Sequence, residues 1–579
     1  MRYFPPVLGH GPHVAGRGID WRDPAAALFV LGVIFLLAVG SRPMLAPFAA
    51  EHQEPISLAP GVLPLYTLRT VVRMLAALAA SLLFTFTYAT LAAKSRRAEM
   101  VLIPILDVLQ SVPILGYLSF TVMFFLSLFP GSTLGPELAA IFAIFTSQAW
   151  NMAFSFYQSL RTVPIDLDEA SRSFRNSAWQ RFWRLEVPFA MPGLIWNMMM
   201  SMSGGWFFVV ASEAIAVGDL HVALPGVGSY VARAIEERDL GAVGWAIAAM
   251  TVAIVLYDQL LFRPMVAWAD KFRVEQTAAQ TTPRSWLLEL FRRSAWFQGA
   301  LEPLARALQG IARRRLAAGW LAARLPRWSL PRRLGDALWL GLCAAAVAAV
   351  VVKLAQAAGN YLSVADLREA LGDGALTLAR VALLILIASA VWVPIGVAIG
   401  LRPRLTQALQ PLAQFLAAFP ANLLFPIAVF VIVHYELTPR IWLTPLMILG
   451  TQWYILFNVI AGASSVPSDL REAADCFRVR RRRWWLQVML PAVFPYYVTG
   501  AITASGGAWN ASIVSEAVSW GTTRLDASGL GAYIARTTEA GDFPRIALGI
   551  AVMSVMVIAM NRLLWRPLYR YAETRTRLD

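Results

Sequence analysis

Two stretches of this chain repeat one arrangement of acidic, small and basic residues. The first opens on Val163-Pro164 and Asp166, runs through Asp168-Glu169-Ala170-Ser171, Arg175 and Trp183, and closes on Val187-Pro188. The second opens on Val466-Pro467 and Asp469, runs through Arg471-Glu472-Ala473-Ala474, Arg478 and Trp485, and closes on Leu490-Pro491. A Pro followed by an Asp makes a good helix start, with the acid near the positive end of the helix dipole. The closing Pro suits the first turn of the next helix, where its missing N–H costs nothing. Each stretch therefore reads as a short helix-turn-helix leading into a longer helix. Other chemistry is hard to find. The five His form no metal constellation, Cys343 and Cys476 read as small packing residues, and a Gly-rich phosphate loop is absent. The chain is not expected to hydrolyse ATP or to hold a cofactor or metal of its own.

The helix after each stretch carries a second recurring group. Gly204-Gly205-Trp206 precedes Ser212-Glu213-Ala214, and Gly507-Ala508-Trp509 precedes Ser515-Glu516-Ala517. Polar groups inside a membrane are functional candidates by default. At the α-helical rise, Trp206 lies about 27 Å beyond Pro188 and Glu213 about 37 Å. The tryptophans are expected as a gate or as interfacial belt residues. For Glu213 and Glu516 three roles compete: a cation or protonated ligand, a docking protein, or ion pairs with Arg233 and Arg536 at the outer rim. The last is favoured, because Glu and Arg recur together. Ser201, Ser203, Asn510 and Ser512 are the neutral hydrogen-bonding groups best placed to face a path.

The elements that hold these groups follow from composition. Of 579 residues, 58% are hydrophobic and 15% charged, with net charge +15 and mean hydropathy +0.57. Soluble domains carry about 25% charged residues, so a soluble enzyme or a disordered chain is excluded. Apolar runs long enough to span lie near 25–42, 66–93, 99–128, 136–160, 188–216 and 243–262. A second series lies near 334–355, 374–400, 405–433, 438–462, 491–518 and 546–565. The fold expected is an all-α integral membrane protein of about 12 spans, with no alternation that would suggest a barrel. The segments are a tail 1–24, a first half 25–264 with loop 163–188, a basic linker 265–333, a second half 334–567 with loop 466–491, and a tail 568–579. Lys and Arg concentrate in the linker and in the loops after the second and fourth spans, which places both termini in the cytoplasm. The positive charge fills gaps between apolar runs, so it marks a membrane face and not a nucleic-acid surface. The linker, amphipathic near Trp286 to Phe297, reads as a spacer on anionic headgroups.

A shift of 303 residues aligns 163–264 on 466–567 without a gap, matching Pro188/Pro491, Trp206/Trp509, Glu213/Glu516, Gly226/Gly529, Gly228/Gly531 and Arg233/Arg536 among others. A small change of register pairs Pro113 with Pro420. An even number of spans per copy makes the repeat parallel, with an axis along the membrane normal and a pathway between the copies.

The paired stretches resemble the EAA loop of permeases of binding-protein-dependent ABC importers, at Glu169-Ala170, Glu472-Ala473-Ala474 and the terminal Pro188 and Pro491. They depart from it at the loop's glycine, where Arg175 and Arg478 stand. The Gly-Trp and Ser-Glu-Ala segments, Asp107 to Pro113, and Gly-x-Gly-x-Tyr at 226–230 and 529–533 resemble the nitrate/sulfonate/taurine branch of these permeases. The resemblance implies a type I importer fold, fused from two subunits into one chain in the bacterial inner membrane. It also implies that Asp166, Glu169, Ala170, Arg175, Asp469, Glu472, Ala473, Ala474 and Arg478 couple to two copies of a cytoplasmic ATPase, which would carry ATP and Mg. A periplasmic solute-binding protein and a small oxyanion or sulfonate-like substrate are implied as well. The competing expectation is an ion- or proton-driven carrier, which would need acids or bases at mid-membrane depth.

Overall fold

A computed structural model describes residues 20–45, 55–218, 220–272, 285–314 and 361–575, with isolated positions between 339 and 359. The described chain is built of helices, because a backbone crossing hydrocarbon must satisfy its own N–H and C=O groups. In the first half they are α1 (Arg22–Ser41), α2 (Leu63–Lys94), α3 (Arg96–Leu109), α4 (Ile114–Leu128), α5 (Leu134–Arg161), α6 (Ile165–Ser173), α7 (Ala178–Arg181) and α8 (Val187–Glu213). Then follow α9 (Val227–Glu236), α10 (Leu240–Tyr257) and α11 (Arg263–Ala269), and in the linker α12 (Trp286–Arg293) and α13 (Ala295–Arg313).

The second half repeats the order: α14 (Val364–Gly400), α15 (Pro403–Ala418), α16 (Phe425–His434), α17 (Pro439–Trp442), α18 (Leu446–Leu449) and α19 (Gln452–Ser464). It ends with α20 (Ser468–Cys476), α21 (Arg482–Trp484), α22 (Leu490–Ser515), α23 (Leu530–Glu539), α24 (Phe543–Met560) and α25 (Arg566–Arg575). Among the described residues, eight continuous helices are long and apolar enough to cross a membrane, or eleven with each of three bent pairs counted as one span. The remaining expected span, 334–355, lies outside the described residues apart from isolated positions.

The third span of each half is broken. α3 and α4 meet at 103° just before Pro113–Ile114, and α15 and α16 meet at 80° beside Pro420. Proline disfavours helix in the residue before it and cannot donate to the preceding turn. The break turns α4 toward the other half while it stays packed along α5 of its own. Ile114, Leu115, Leu118 and Val122 join the hydrophobic core of the second half, while Leu423 joins that of the first. The halves interlock through their third spans.

Proline shapes the helices in another way, and here the sequence expectation needs correction. Pro188 and Pro491 do not open their helices: one continuous helix runs Ala178–Glu213 and another Arg482–Ser515. Each proline follows a single π turn, at Phe182–Glu186 and Trp485–Met489, in which Val187 N–H reaches Phe182 O and Leu490 N–H reaches Trp485 O. Two more π turns, Asp258–Phe262 and Asn561–Trp565, end just ahead of Arg263-Pro264 and Arg566-Pro567. A proline cannot donate to the carbonyl one turn back and its ring crowds that turn, and in each case the widened turn lies just ahead of it.

Two small hairpins interrupt the all-α expectation. β1 (Ala214–Val217) pairs antiparallel with β2 (Leu220–Ala223), and β3 (Ala517–Trp520) with β4 (Thr523–Asp526). They follow the long helices α8 and α22, so they lie at the end of the molecule opposite the paired loops.

Candidate functional site

Both paired loops fold alike. α6 and α20 each end in a Schellman motif, in which the N–H of Arg175 reaches Arg172 O and that of Asn176 reaches Ser171 O. In the second loop Arg478 N–H reaches Asp475 O and Val479 N–H reaches Ala474 O. The residue after the cap must be left-handed, the usual place for glycine. Arg175 at φ 54° and Arg478 at φ 51° adopt that conformation. The glycine of the EAA loop is therefore replaced in identity while its backbone geometry is kept.

Asp166, Glu169, Ala170, Arg175, Asp469, Glu472, Ala473 and Arg478 are exposed on these helices and turns, and Pro188 and Pro491 are half-buried. Ala474 is buried, like Ser171 at the same position, and faces the helix bundle. It cannot touch an outside partner as expected. Ile165, Phe174 and Phe477 are large apolar side chains left 69–82% exposed, a pattern that marks an interaction surface. Cys476 is exposed at the end of α20 rather than packed.

At the opposite end, Glu213 and Glu516 are buried and ion-paired, but not with the expected partners. Arg233 meets Glu236 and Glu237 on its own helix, and Arg536 meets Glu369 and Asp373. The partner of Glu213 is Arg73 on α2, at 2.6 Å, with Thr70 Oγ1 at 2.7 Å and the Gly228 N–H at 2.7 Å. Arg73 also donates twice to Glu137, at 2.6 and 2.7 Å, and to Pro225 O. In the second half Glu516 accepts from Arg380 at 3.0 Å, Thr377 at 2.9 Å and Gly531 N–H at 2.8 Å.

The Gly-x-Gly-x-Tyr stretches make this geometry possible. A Cβ on Gly226 would stand 2.3 Å from the Glu213 carboxyl, and one on Gly228 would stand 2.1 Å from Val210 O. The first turns of α9 and α23 thus close onto a carboxylate, and the helix dipole favours the negative charge.

Sequence reasoning missed Thr70, Arg73, Glu137, Thr377 and Arg380. Thr70/Thr377 and Arg73/Arg380 are identical pairs at an offset of 307, the register of Pro113/Pro420, which was the signal available.

A cavity of about 430 Å³ lies between the halves, lined by α5 and α8 from one side and α19 and α22 from the other. Ser201 and Ser203 line it, as do Asn151, Asn197, Thr451, Asn458, Thr499 and Thr503, with Trp196, Phe207 and Tyr454 among the aromatic walls. No Asp, Glu, Lys, Arg or His is among its lining residues. Ser201 Oγ and Thr451 Oγ1 are buried without hydrogen-bond partners among the described residues.

Asn510 also lines the cavity, but its amide is engaged: Oδ1 accepts from Ile114 N–H at 2.7 Å, capping α4. Its counterpart position, Phe207, accepts from Asn422 through its carbonyl. Each half therefore grips the broken span of the other at one equivalent place. Ser512 is fully buried and bonds back to Trp509 O, away from the cavity.

Trp206 and Trp509 are 2% and 1% exposed, so neither is a belt residue, and neither lines the central cavity. Trp206 packs edge-on against Tyr257 and borders a separate cavity of about 450 Å³ between α8, α10 and α15.

Comparison with known proteins places this geometry. The family model described as "Binding-protein-dependent transport system inner membrane component" matches residues 81–263 and again 390–577. The nitrate import permease protein NrtB of Leptolyngbya laminosa is 28% identical over 193 residues, covering 33% of this chain and 64% of that protein. The bicarbonate transport system permease protein CmpB of Synechococcus elongatus is 28% identical over 186 residues, 32% of this chain and 64% of the relative. The glycine betaine/proline betaine transport system permease protein ProW of Escherichia coli is 28% identical over 242 residues, 42% of this chain and 59% of the relative. The chain thus spans somewhat less than two thirds of the length of each relative. No solved structure matches.

Proposed function

The chain belongs to the family of binding-protein-dependent transport system inner membrane components, and from that premise we propose that it is the permease of an ABC importer with both transmembrane halves in one polypeptide. It is a multi-pass protein of the inner membrane. The observation that carries the reading is the recurrence of one exposed helix, with the same left-handed arginine and the same exposed Phe, on both sides of a cavity built from both halves. Two cytoplasmic ATPase subunits, carrying ATP and Mg, dock on α6 and α20. Their closure rocks the interlocked halves about the grips at Ile114 and Asn422. A periplasmic binding protein delivers the solute at the end where the hairpins lie, and both termini sit on the ATPase side.

The substrate proposed is a small oxyanion or sulfonate-like organic anion. The names of the nitrate and bicarbonate relatives support it. So does a cavity walled by hydroxyl and amide groups, in which a passing anion meets donors but no cation to hold it. A proton- or ion-driven carrier would need a titratable group facing the path. Here the buried acids are tied to arginines outside the lining. Glu169→Lys combined with Glu472→Lys reverses charge on both docking helices at exposed positions. Stimulated ATPase activity and uptake by the assembled transporter should be lost while membrane insertion is unchanged. Unaltered uptake in the double variant would remove the coupling role.

A further inference from the structure

The two loops differ at one face. Behind the first, the linker helix α13 presents its final carbonyls to α7: Trp179 Nε1 donates to Ile311 O at 2.8 Å, and Gln180 Nε2 donates to Arg313 O at 2.9 Å. α13 is held at the start of α1, where Asp23 accepts from Ser294 Oγ at 2.8 Å and from Trp296 N–H at 3.0 Å. Because α1 is long and apolar enough to span, the start of α13 lies near the depth where α1 enters the bilayer.

The residues at the positions of Trp179 and Gln180 in the second loop are Arg482 and Arg483. They belong to the run Arg480 to Arg483, all exposed and none ion-paired among the described residues. Overall the first loop, 163–188, holds four acidic and four basic residues, and the second, 466–491, holds three acidic and six basic. The first loop also consumes its charge internally, since Asp168 takes both Arg172 and Arg181.

The repeat axis lies along the membrane normal, so it carries the α13 dock to an equal depth on the second half. No described helix stands there. Where the first loop meets the negative end of a helix, the second offers four guanidinium groups with no ion pair among the described residues. Trp484 and Trp485 follow directly, packed edge to face at 5.4 Å, and tryptophan beside arginine is the composition of a membrane–water interface.

We propose that Arg480 to Arg483 form a binding site for the phosphodiester headgroups of anionic phospholipid. The lipid braces the second loop as the linker helix braces the first. Guanidinium groups pair with phosphate oxygens in two-pronged fashion, and a basic side chain at an anionic surface contributes roughly a fivefold factor in binding. The site stands whether or not the loop also couples to an ATPase.

The test is hydrogen exchange of the full chain in nanodiscs of phosphatidylcholine, with and without phosphatidylglycerol. Amides of 477–485 should exchange more slowly as phosphatidylglycerol is added, while those of 174–183 stay unchanged. Arg482→Gln with Arg483→Gln should weaken the phosphatidylglycerol-dependent protection, the apparent binding constant falling about fivefold per residue. Arg482→Lys with Arg483→Lys should keep most of the response. Equal exchange in both lipids overturns the proposal, as does equal slowing in the two loops. It also falls if inorganic phosphate in phosphatidylcholine discs protects as well, or if protection appears only when an ATPase subunit is added.

Discussion

In the first half Arg73 stands between Glu213 and Glu137, and its side chain is fully excluded from solvent. In the second half Arg380 meets Glu516 alone, remains 11% exposed, and completes its hydrogen bonding on the carbonyls of Ala527 and Ser528. The carboxylate, the threonine, the glycine N–H and the arginine are common to both, so the duplicated ancestor already held this cluster. Glu137 belongs to the first half alone, since the residues at its place in the second half are Arg440 or Thr444, depending on register. One half surrounds its cation with two acids, while the other shares it with backbone. The lesson is that pseudo-symmetry preserves the requirement, a satisfied buried carboxylate at the turn into α9 and α23, and leaves the means free.

The sharpest way to break this comparison is to remove the cations. Arg73→Met leaves two buried acids without their cation, Glu213 keeping only Thr70 and the Gly228 N–H, and breaking a buried pair costs about 3–5 kcal/mol. The expected outcome is a large drop in the thermal unfolding temperature of the purified protein, with part recovered by adding Glu137→Gln. Arg380→Met leaves one acid that keeps Thr377 and the Gly531 N–H, so its loss should be well under half as large. Equal losses would mean the two clusters do the same work despite Glu137.

The glycines sharpen the same contrast with a smaller effect. Gly226 is extended, at φ −176°, so an alanine there suffers only the collision with Glu213. Gly529 sits at φ 147° and collides with Glu516 as well. Overpacking costs about 1–3 kcal/mol, and the rare backbone region adds about 1–3 kcal/mol. Gly529→Ala should therefore lower the unfolding temperature more than Gly226→Ala. The reverse order would show that the second cluster yields more easily than its geometry suggests.

These residues also show what could be read before any fold was in hand. The loops, the repeat and the spans were legible because Pro, Gly, Trp and Glu recur at one offset, which apolar composition cannot imitate. The partners of Glu213 and Glu516 were not, because Arg73 lies 140 residues away in a segment with a different offset. Asn151 and Asn458, both lining the cavity, still follow the 307 register, while Val163 and Val466 follow 303. Four residues are missing between them in the second half, close to one helical turn. The helix face is kept while an ungapped comparison is lost. The hairpins were hidden for another reason: Ala-Ile-Ala-Val after Glu213 continues an apolar run, and four residues are too few to show a strand period. The π turns were misread because a proline at a helix start and one behind a widened turn look the same in sequence.

The linker gives a smaller asymmetry to test. Trp179→Phe and Gln180→Ala each remove one hydrogen bond to α13, worth about 1 kcal/mol. Amide exchange at 308–313 should rise about fivefold for each, with no change at 477–485. A global loss of stability would mean that α13 is part of the core and not a brace on one loop.

The smallest effect has the opposite sign. Arg175 and Arg478 hold a left-handed backbone that costs an L-residue about 1–2 kcal/mol, while glycine at the same place surrenders about 0.5–1 kcal/mol of chain freedom on folding. Arg175→Gly and Arg478→Gly should each leave the unfolding temperature unchanged or raise it slightly. Both side chains are exposed and neither makes an ion pair among the described residues, so no folded-state contact argues the other way. If stability rises while stimulated ATPase activity falls, the arginines are kept for the partner's surface in spite of their strain. If activity is unchanged as well, the turn alone matters and the residue filling it is incidental. A difference between the two sites would show that the linker-braced loop and the arginine-rich loop present different faces to the same ATPase.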